Sequence, residues 1–316
     1  MTKVLSIIIP FYNEEDNLPI LHREIVDVLA KQKFTSEIVY VNDGSRDGSE
    51  AALQRVVNRS GNISAKLVSF RRNFGQTAAL VAGIDNSEGR LVSFLDSDLQ
   101  NDPADLPKFV DKLNEGYDAV FGWRKSRHDA TLRSLMSKFA NRLINWVFNY
   151  PYHDVGCSAR IVKREFLDNL HLYGELHRIM PVLIYLKGAK VGELVVSHRN
   201  RTRGVSKYGY KRIVKTLIDI ITVKFLTSYG TRPAYVFGTA GFGSFAVAFF
   251  TLITVAYKKL FLGVYVHNDP LFLVAIFLGI IGVQFIMMGL LAELQVRTYF
   301  ESQNKPVYEI KSVSEY

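Results

Sequence analysis

The chain has 316 residues, enough for about two domains, and carries a formal net charge of +9 with an isoelectric point near 9.4. This excess of positive charge favours an anionic partner, such as nucleic acid, a nucleotide or a phospholipid surface. A single cysteine, Cys157, excludes an internal disulfide. The first apolar run begins at Val4 with no basic stretch before it, so we expect no cleavable signal peptide.

The N-terminal part of the chain alternates apolar runs with helical segments. Strands that are apolar throughout are typical of a parallel α/β sheet that is covered by helices on both faces. In such sheets, ligands bind beyond the carboxyl ends of the strands. Predicted strands occupy residues 4–10, 37–42, 66–70, 91–95 and 117–122, and predicted helices occupy 17–31, a segment from 48 onward, and 75–87.

Carboxylate and amide side chains follow the fourth predicted strand, in the stretch FLDSDLQNDP. Asp96, Asp98 and Gln100 offer oxygen ligands without cysteine or histidine, which suits Mg²⁺ or Mn²⁺. The alternative is a surface turn whose aspartates cap a helix. Asp102 before Pro103 fits that alternative, whereas Asp96 and Asp98 come too early for a cap.

Two nucleotide-binding motifs are missing from the sequence. The first strand is followed by PFYNEEDN, which contains no G-x-G-x-x-G, and G-x-x-x-x-G-K-[ST] occurs nowhere in the chain. The sequence therefore argues against a Rossmann dinucleotide site and excludes a P-loop enzyme.

Two long uncharged runs, at 233–257 and 270–292, are each long enough to cross a membrane. The alternative, a buried helical hairpin, normally carries a polar stripe. Residues 206–230 read as an amphipathic interfacial helix, with an ordinary packed helix as the alternative. The lysine and arginine bias puts both flanks of a membrane hairpin in the cytoplasm. The predicted domains are 1–205, 206–230 and 231–316.

Six motifs occur together in one order: SIIIPFYNEEDNLP, VNDGSRDGS, FRRNFGQTAALVAGID, FLDSDLQNDP, HDVGCSAR and RTRGVSKYG. With these motifs the chain resembles family-2 glycosyltransferases, over about residues 4 to 210. It is most similar to the polyprenyl-phosphate glycosyltransferases, which include bactoprenol glucosyltransferases and dolichol-phosphate mannose synthases. This resemblance implies a GT-A (Rossmann-like) α/β catalytic domain, followed by an interfacial helix and two transmembrane helices.

The resemblance also implies roles for residues of these motifs. Asp96, Asp98 and Gln100 would surround the metal, Mg²⁺ or Mn²⁺. Asp154 matches the family's candidate catalytic carboxylate, with a loop-capping aspartate as the alternative. The residues that would contact the nucleotide-sugar are Pro10, Tyr12, Glu14, Asp43 and Asp96, with Asp43 accepting from the base or ribose.

Two basic clusters, around residues 122–133 and 198–212, are candidates for binding an acceptor phosphate. The planar guanidinium of arginine donates paired hydrogen bonds to phosphate. The alternative for several members is a charge patch that faces solvent or lipid. The predicted phosphate ligands are Arg124, Arg127, Arg133, Arg203 and Lys207.

The implied activity is inverting transfer of a sugar from a nucleotide-diphospho-sugar to a polyprenyl monophosphate, at the cytoplasmic face of the plasma or inner membrane. UDP-glucose is the favoured donor and GDP-mannose an alternative. A membrane transporter or flippase with a nucleotide-sensing domain is the rival of another class, but the predicted spans hold no acid or base. We expect no nucleic-acid partner, because the basic residues cluster near the membrane segments. Small residues in the spans favour a homo-oligomer, with a tetramer as one candidate size.

Overall fold

The computed structural model describes residues 4–58, 63–125, 141–168, 170, 172, 174–199, 222, 224–225, 233–302 and 310–315. The chain divides into two compact units. One comprises Met1–Asp219 together with Pro306–Tyr316, and the other comprises Ile220–Lys305. The predicted domain boundaries at 205 and 230 lie outside the described residues and stay predictions. Of the predicted interfacial helix, positions 222, 224 and 225 are described, and they are helical.

The first unit is built on a mixed sheet with the strand order β7-β5-β6-β4-β1-β2-β3-β8. β1 pairs in parallel with β2 and β4, and β2 with β3, whereas β6 runs antiparallel between β4 and β5. The strands are β1 Leu5–Phe11, β2 Ser36–Asn42, β3 Ser64–Phe70, β4 Leu91–Phe94, β5 Ala119–Trp123, β6 Arg160–Lys163, β7 Val191–Val195 and β8 Ile310–Glu315.

Helices connect and cover these strands. The predicted α/β class is confirmed, and the five predicted strands correspond to β1 through β5. The helices of this unit are α1 Leu18–Leu29, α2 Ser49–Val57, α3 Gln76–Asp85, α4 Leu106–Asn114, α5 at 141–148, α6 Arg164–Leu167 and α7 Met180–Leu186, with 3₁₀ turns at Pro103–Asp105 and Leu176–Ile179.

Burial explains why the first half of the sheet forms as the sequence predicts. Every residue of β1, LSIIIPF, is buried, and its isoleucines suit a pleated strand packed on both faces. In α1, Leu18, Leu21 and Ile25 recur at helical spacing and are fully buried, so one face of the helix packs on the sheet.

A buried histidine links α1 to β2 and predicts a pH-dependent stability. Nδ1 of His22 lies 2.8 Å from the hydroxyl of Tyr40, and burial lowers the pKa of His22 from 6.5 to about 4. Between these two values the unfolded chain binds a proton that the folded chain does not, so stability falls as the pH drops through this window. The full effect is about 3 kcal/mol.

We therefore expect the apparent midpoint of heat denaturation to fall more steeply between pH 7 and pH 4.5 in the wild type than in His22→Gln. Glutamine keeps a polar partner for Tyr40 and removes the titration. Identical pH dependence in the two proteins, measured in the same detergent, would contradict a titrating His22.

The second unit is a helical hairpin of α8, Pro233–Leu262, and α9, Pro270–Ser302. Both helices are long and apolar enough to be candidate membrane spans. Small residues form their contact: a Cβ on Gly241 would lie 2.8 Å from the carbonyl oxygen of Gly282, and the Ser244 hydroxyl donates to the Leu278 carbonyl at 2.6 Å. Close helix approach therefore depends on these positions.

Candidate active site

The carboxyl ends of β1, β2 and β4 meet at one edge of the sheet, because these strands are parallel neighbours. Pro10 lies buried near the end of β1, and Tyr12 and Glu14 follow it, half-buried. Glu14 is fixed by two contacts: its backbone N–H donates to Ser49 Oγ at 2.8 Å, and its Oε2 accepts from Asn17 Nδ2 at 2.6 Å. The proposed contacts of these residues with a nucleoside stay a prediction.

Asp43 follows β2 and holds the loop that precedes α3. Its Oδ1 accepts from the backbone N–H of Phe74 at 2.7 Å, and its Oδ2 accepts from that of Gly75 at 3.0 Å. Burial raises the pKa of Asp43, and these backbone donors partly oppose the rise. Gly44, at φ 69°, packs against the backbone of Arg72, where a side chain has no room. Asp43 thus shapes this loop, and its predicted contact with the base or ribose stays a prediction.

Asp96, Asp98 and Gln100 lie together in the loop that follows β4. The backbone N–H of Gln100 donates to Asp98 Oδ1 at 3.1 Å, and Gln76 Nε2 donates to Asp96 Oδ1 at 3.0 Å. Leu99, which lies between Asp98 and Gln100 in the sequence, adopts a positive φ of 63°. This conformation is energetically unfavourable for a residue other than glycine. The loop is therefore held in a defined shape that turns two carboxylates to one region.

The electrostatics of this loop fit a divalent cation. Burial raises the pKa of the Asp96 carboxyl, and the charge of Asp98 raises it further, while Ser158, Arg160 and Arg124 act in the opposite direction. A cation between the two carboxylates would relieve their repulsion. Among the described residues, no group of three or more histidine, cysteine or acidic side chains is placed to hold a metal. Two carboxylates suit Mg²⁺ or Mn²⁺, which also take water and substrate phosphate oxygens as ligands.

Asp154 and Arg124 form a bidentate ion pair. Arg124 Nε donates to Asp154 Oδ2 at 2.8 Å, and Arg124 Nη2 donates to Asp154 Oδ1 at 3.0 Å. The Asp154 side chain is 3% exposed. Burial lowers the pKa of Arg124, but its hydrogen bond to Asp154 and nearby negative groups outweigh this and raise it overall. The candidate catalytic carboxylate and one candidate phosphate ligand are therefore joined, which the sequence did not indicate.

The remaining predicted phosphate ligands, Arg127, Arg133, Arg203 and Lys207, lie outside the described residues. Their assignment to the acceptor stays a prediction.

The sequence matches glycosyl transferase family 2 over residues 6–170, which includes the loops that carry Tyr12, Asp43, Asp96 and Asp154. The chain belongs to glycosyltransferase family 2. This confirms that the protein is an enzyme of the predicted class and that the resemblance seen in its motifs is a family relationship.

Curated relatives of this glycosyltransferase match it along almost its whole length. Dodecaprenyl-phosphate galacturonate synthase of Rhizobium johnstonii is 36% identical over 98% of this chain and 92% of the relative. Undecaprenyl-phosphate 4-deoxy-4-formamido-L-arabinose transferase of Klebsiella pneumoniae is 34% identical over 98% and 94%. Both are polyprenyl-phosphate sugar transferases, the group that the motifs indicate.

Solved structures support the fold of the glycosyltransferase. Glucosyl-3-phosphoglycerate synthase from Mycobacterium tuberculosis, in complex with Mn²⁺ and UDP-glucose, has a TM-score of 0.55 at 18% identity and covers 70% of this chain and 79% of its own. The same enzyme with Mg²⁺ and UDP has a TM-score of 0.53 at 19% identity, covering 69% and 79%.

The sequence motifs assigned no role to three residues that support the site of this glycosyltransferase. Arg160 is buried, and its positive charge opposes the rise in the pKa of Asp96. Its Nη1 donates to the His177 carbonyl at 3.1 Å, and burial lowers the pKa of Arg160 itself. Gln76 contacts Asp96, as described above. Arg160 and Gln76 are within the motifs HDVGCSAR and FRRNFGQTAALVAGID, so they were visible as motif members without a role. Glu193 on β7, whose Oε1 accepts from the backbone N–H of His153 at 2.6 Å and from that of Asp154 at 3.4 Å, gave no sequence signal.

Proposed function

We propose that this glycosyltransferase moves a sugar from a nucleotide-diphospho-sugar to a polyprenyl monophosphate, with inversion at the sugar carbon. The observation that carries this proposal is similarity along the whole chain, membrane helices included, to transferases named for polyprenyl-phosphate acceptors. The arrangement of charge in the site supports it, because acidic and cationic groups lie side by side at the carboxyl edge of the sheet.

For this reaction, the protein must position the acceptor monophosphate and the donor diphosphate, and it must stabilise the diphosphate as it departs. An oxygen of the acceptor monophosphate attacks the sugar carbon while the bond to the donor diphosphate breaks. Because phosphate oxygen is already anionic near neutral pH, the nucleophile needs little activation. The guanidinium groups of Arg124 and Arg160, both electrostatically coupled to Asp96, offset the negative charge that gathers at the site.

Asp96, Asp98 and Gln100 are the residues that would hold Mg²⁺ or Mn²⁺ in this glycosyltransferase. Such an ion, when bound, supplies Lewis-acid stabilisation of the leaving diphosphate. Asp154 is engaged through both oxygens by Arg124, so we assign it to orienting that guanidinium.

The chain's path supports a membrane hairpin. β8, Ile310–Glu315, pairs antiparallel with β3 and belongs to the first unit, so the chain rejoins this unit after α9. A chain that leaves a unit and returns to it must cross a membrane an even number of times. Together with the lysine and arginine bias, this favours two spans with the catalytic unit in the cytoplasm.

The choice of sugar is open to a direct test. The candidate donors are UDP-glucose, favoured by the resemblance to bacterial bactoprenol glucosyltransferases, GDP-mannose, and nucleotide derivatives of the two sugars in the names of the relatives. Purified protein with Mg²⁺ or Mn²⁺ and undecaprenyl phosphate should transfer label from one of these nucleotide-linked sugars into the lipid phase. Transfer should stop when the acceptor is omitted. Absence of labelled lipid with every donor would contradict the proposed function.

The positions of the glycines in the helical hairpin are relevant to the proposed homo-oligomer. Gly241, Gly282 and Gly289 are used within the hairpin, whereas a Cβ on Gly238, Gly243 or Gly279 would meet no described atom of this chain within 4 Å. These outward positions leave room for close approach by another subunit. The homo-oligomer, with a tetramer as one size, stays a proposal that mass measurement in nanodiscs would test.

A further inference from the structure

Thr77, the second residue of α3, carries a buried hydroxyl that is bonded to a distant part of the chain. Its Oγ1 donates to the carbonyl oxygen of Gly174 at 2.5 Å and lies 2.6 Å from Nδ1 of His177, which is also buried. A threonine hydroxyl in a helix commonly bonds a carbonyl of the preceding turn. Two partners that lie 97 and 100 positions away in the sequence indicate a specific connection instead.

The direction of these two hydrogen bonds follows from the chemistry of the groups. A carbonyl oxygen only accepts, so the single hydroxyl proton of Thr77 is directed at Gly174. Nδ1 of His177 must then donate to the hydroxyl oxygen. The hydroxyl of Thr77 therefore joins two buried groups that a side chain of the same shape without the hydroxyl, such as valine, could not join.

Thr77 directly follows Gln76, the residue that contacts the candidate metal ligand Asp96. Gln76 Nε2 donates to Asp96 Oδ1 at 3.0 Å. The backbone on the other side of Gln76 is held as well, because the N–H of Gly75 donates to Asp43 Oδ2 at 3.0 Å. The start of α3 is thus anchored both before and after Gln76, and the position of the Gln76 amide depends on both anchors.

His177 connects Thr77 to a second group that acts on Asp96. Arg160 Nη1 donates to the His177 carbonyl at 3.1 Å, and Arg160 Cζ lies 5.6 Å from the ring centroid of Phe94, the last residue of β4. Arg160 is buried, and its positive charge opposes the rise in the pKa of the Asp96 carboxyl. The place of this charge depends on the backbone of His177, whose imidazole is bonded to the Thr77 hydroxyl.

Two series of contacts therefore lead from one hydroxyl to one carboxylate, through Gln76 and through His177 and Arg160. A carboxylate that binds a cation must present its oxygens in a fixed direction, and groups that orient such a ligand change metal affinity about ten- to a hundredfold when they are removed. We propose that Thr77 is a positioning residue for the Asp96 carboxylate, whose hydroxyl keeps Gln76 and Arg160 in place around the candidate metal site. This inference rests on the proposed function and deepens it.

A positioning role differs from a structural role in what the loss of the hydroxyl changes. Thr77→Val removes the partner of two buried polar groups, so it should lower the stability of the protein in either case. A hydroxyl with a structural role alone would leave the metal affinity of the folded molecules unchanged. A hydroxyl that positions Asp96 should change that affinity as well, and Thr77→Ser, which keeps the hydroxyl, should preserve it.

The test measures Mn²⁺ binding to the full chain in detergent by electron paramagnetic resonance, at a temperature at which each variant is folded. Mn²⁺ is titrated with UDP and, separately, with GDP, and the nucleotide that tightens Mn²⁺ binding to the wild type is used for the variants. We expect Thr77→Val to bind Mn²⁺ about tenfold more weakly than the wild type, and Thr77→Ser to stay within about twofold of it.

A second variant keeps the test decisive if Thr77→Val does not fold. Gln76 is exposed, so Gln76→Ala should spare the fold, and it removes the hydrogen bond to Asp96 by itself. We expect it to weaken Mn²⁺ binding about threefold. Because Thr77 acts partly through Gln76, the double variant should bind Mn²⁺ less weakly than the product of the two single effects predicts.

Ser87→Ala is the matched control, because Ser87 carries a buried hydroxyl just beyond the other end of α3. Its Oγ donates to the Ile84 carbonyl at 2.8 Å and accepts from Arg164 Nη2 at 2.7 Å. The control should lower the midpoint of denaturation and leave Mn²⁺ binding unchanged. Wild-type Mn²⁺ affinity in folded Thr77→Val, or in Gln76→Ala, would overturn the inference. Equal weakening in Thr77→Ser and Thr77→Val would also overturn it, because the hydroxyl would then not be the cause.

This inference and the proposed function can fail separately. A wild type that binds Mn²⁺ with a nucleotide but transfers no sugar to any polyprenyl phosphate would contradict the proposed function, and the variants would still decide the role of Thr77. A wild type that transfers sugar to polyprenyl phosphate but binds no Mn²⁺ would overturn the inference and leave the proposed transfer intact.

Discussion

Replacing Asp98 with asparagine is expected to lower kcat by about a thousandfold or more while the fold persists. Asp98 is 8% exposed and lies beside Asp96, whose pKa its charge helps to raise. Asparagine keeps the oxygen that accepts from the Gln100 N–H, so the loop retains its turn. What is lost is the second negative charge, and a divalent cation held by a single carboxylate binds much more weakly.

A binding measurement separates this loss from a general defect. Titration of Mn²⁺ in the presence of the nucleoside diphosphate of the donor that the wild type accepts, followed by electron paramagnetic resonance, should show at least about tenfold weaker binding to Asp98→Asn than to wild type. Asp102→Asn is the matched control, because Asp102 belongs to the same loop but caps the 3₁₀ turn through Ala104 and pairs with Arg199. It should bind Mn²⁺ as the wild type does. Full wild-type activity in excess chelator would refute a metal role for Asp96, Asp98 and Gln100.

The strands that the sequence predicts are almost completely buried: β1 is buried throughout, and β2 to β5 each have one residue that is only partly buried. All five are mainly apolar, and the structure has them close to where the pattern places them. β6 escaped prediction because it has four residues and is charged at both ends, by Arg160 and Lys163. β8, with the sequence IKSVSE, follows two apolar helices and pairs with β3, more than 200 residues earlier in the chain. Local sequence patterns do not predict a pairing between such distant segments.

Part of the candidate site could likewise be predicted from the sequence, and part of it could not. Residue types and their order predict the Asp96–Asp98 loop, because a short loop after a strand fixes where its side chains can lie. Contacts between residues that are far apart in the sequence could not be predicted in this way. Arg124 and Asp154 were assigned separate roles from separate motifs, and their joining across 30 positions follows from the placement of β5 against the loop before β6. Glu193 contacts that loop from β7, a strand that the sequence did not predict.

The Arg124–Asp154 pair leads to the second large expected effect. Because the Asp154 side chain is 3% exposed and that of Arg124 is 17% exposed, removing one charge leaves the other buried without its partner. We expect Asp154→Asn to lower kcat about a hundredfold, to raise the KM for the lipid phosphate, and to destabilise the protein by about 3 kcal/mol. The acidic limb of the pH profile should persist, because in our assignment Asp154 orients Arg124 and accepts no proton from the acceptor.

A double-mutant cycle tests whether the two residues act as one unit. If Asp154 works through Arg124, then Arg124→Gln combined with Asp154→Asn should be little worse in kcat/KM than the poorer single variant. Independent roles, with Asp154 as the base and Arg124 as a separate phosphate ligand, predict losses that multiply. Circular dichroism and denaturation midpoints of all three variants would establish that the comparison is made on folded protein. Multiplied losses together with a vanished acidic limb in Asp154→Asn would assign the role of base to Asp154.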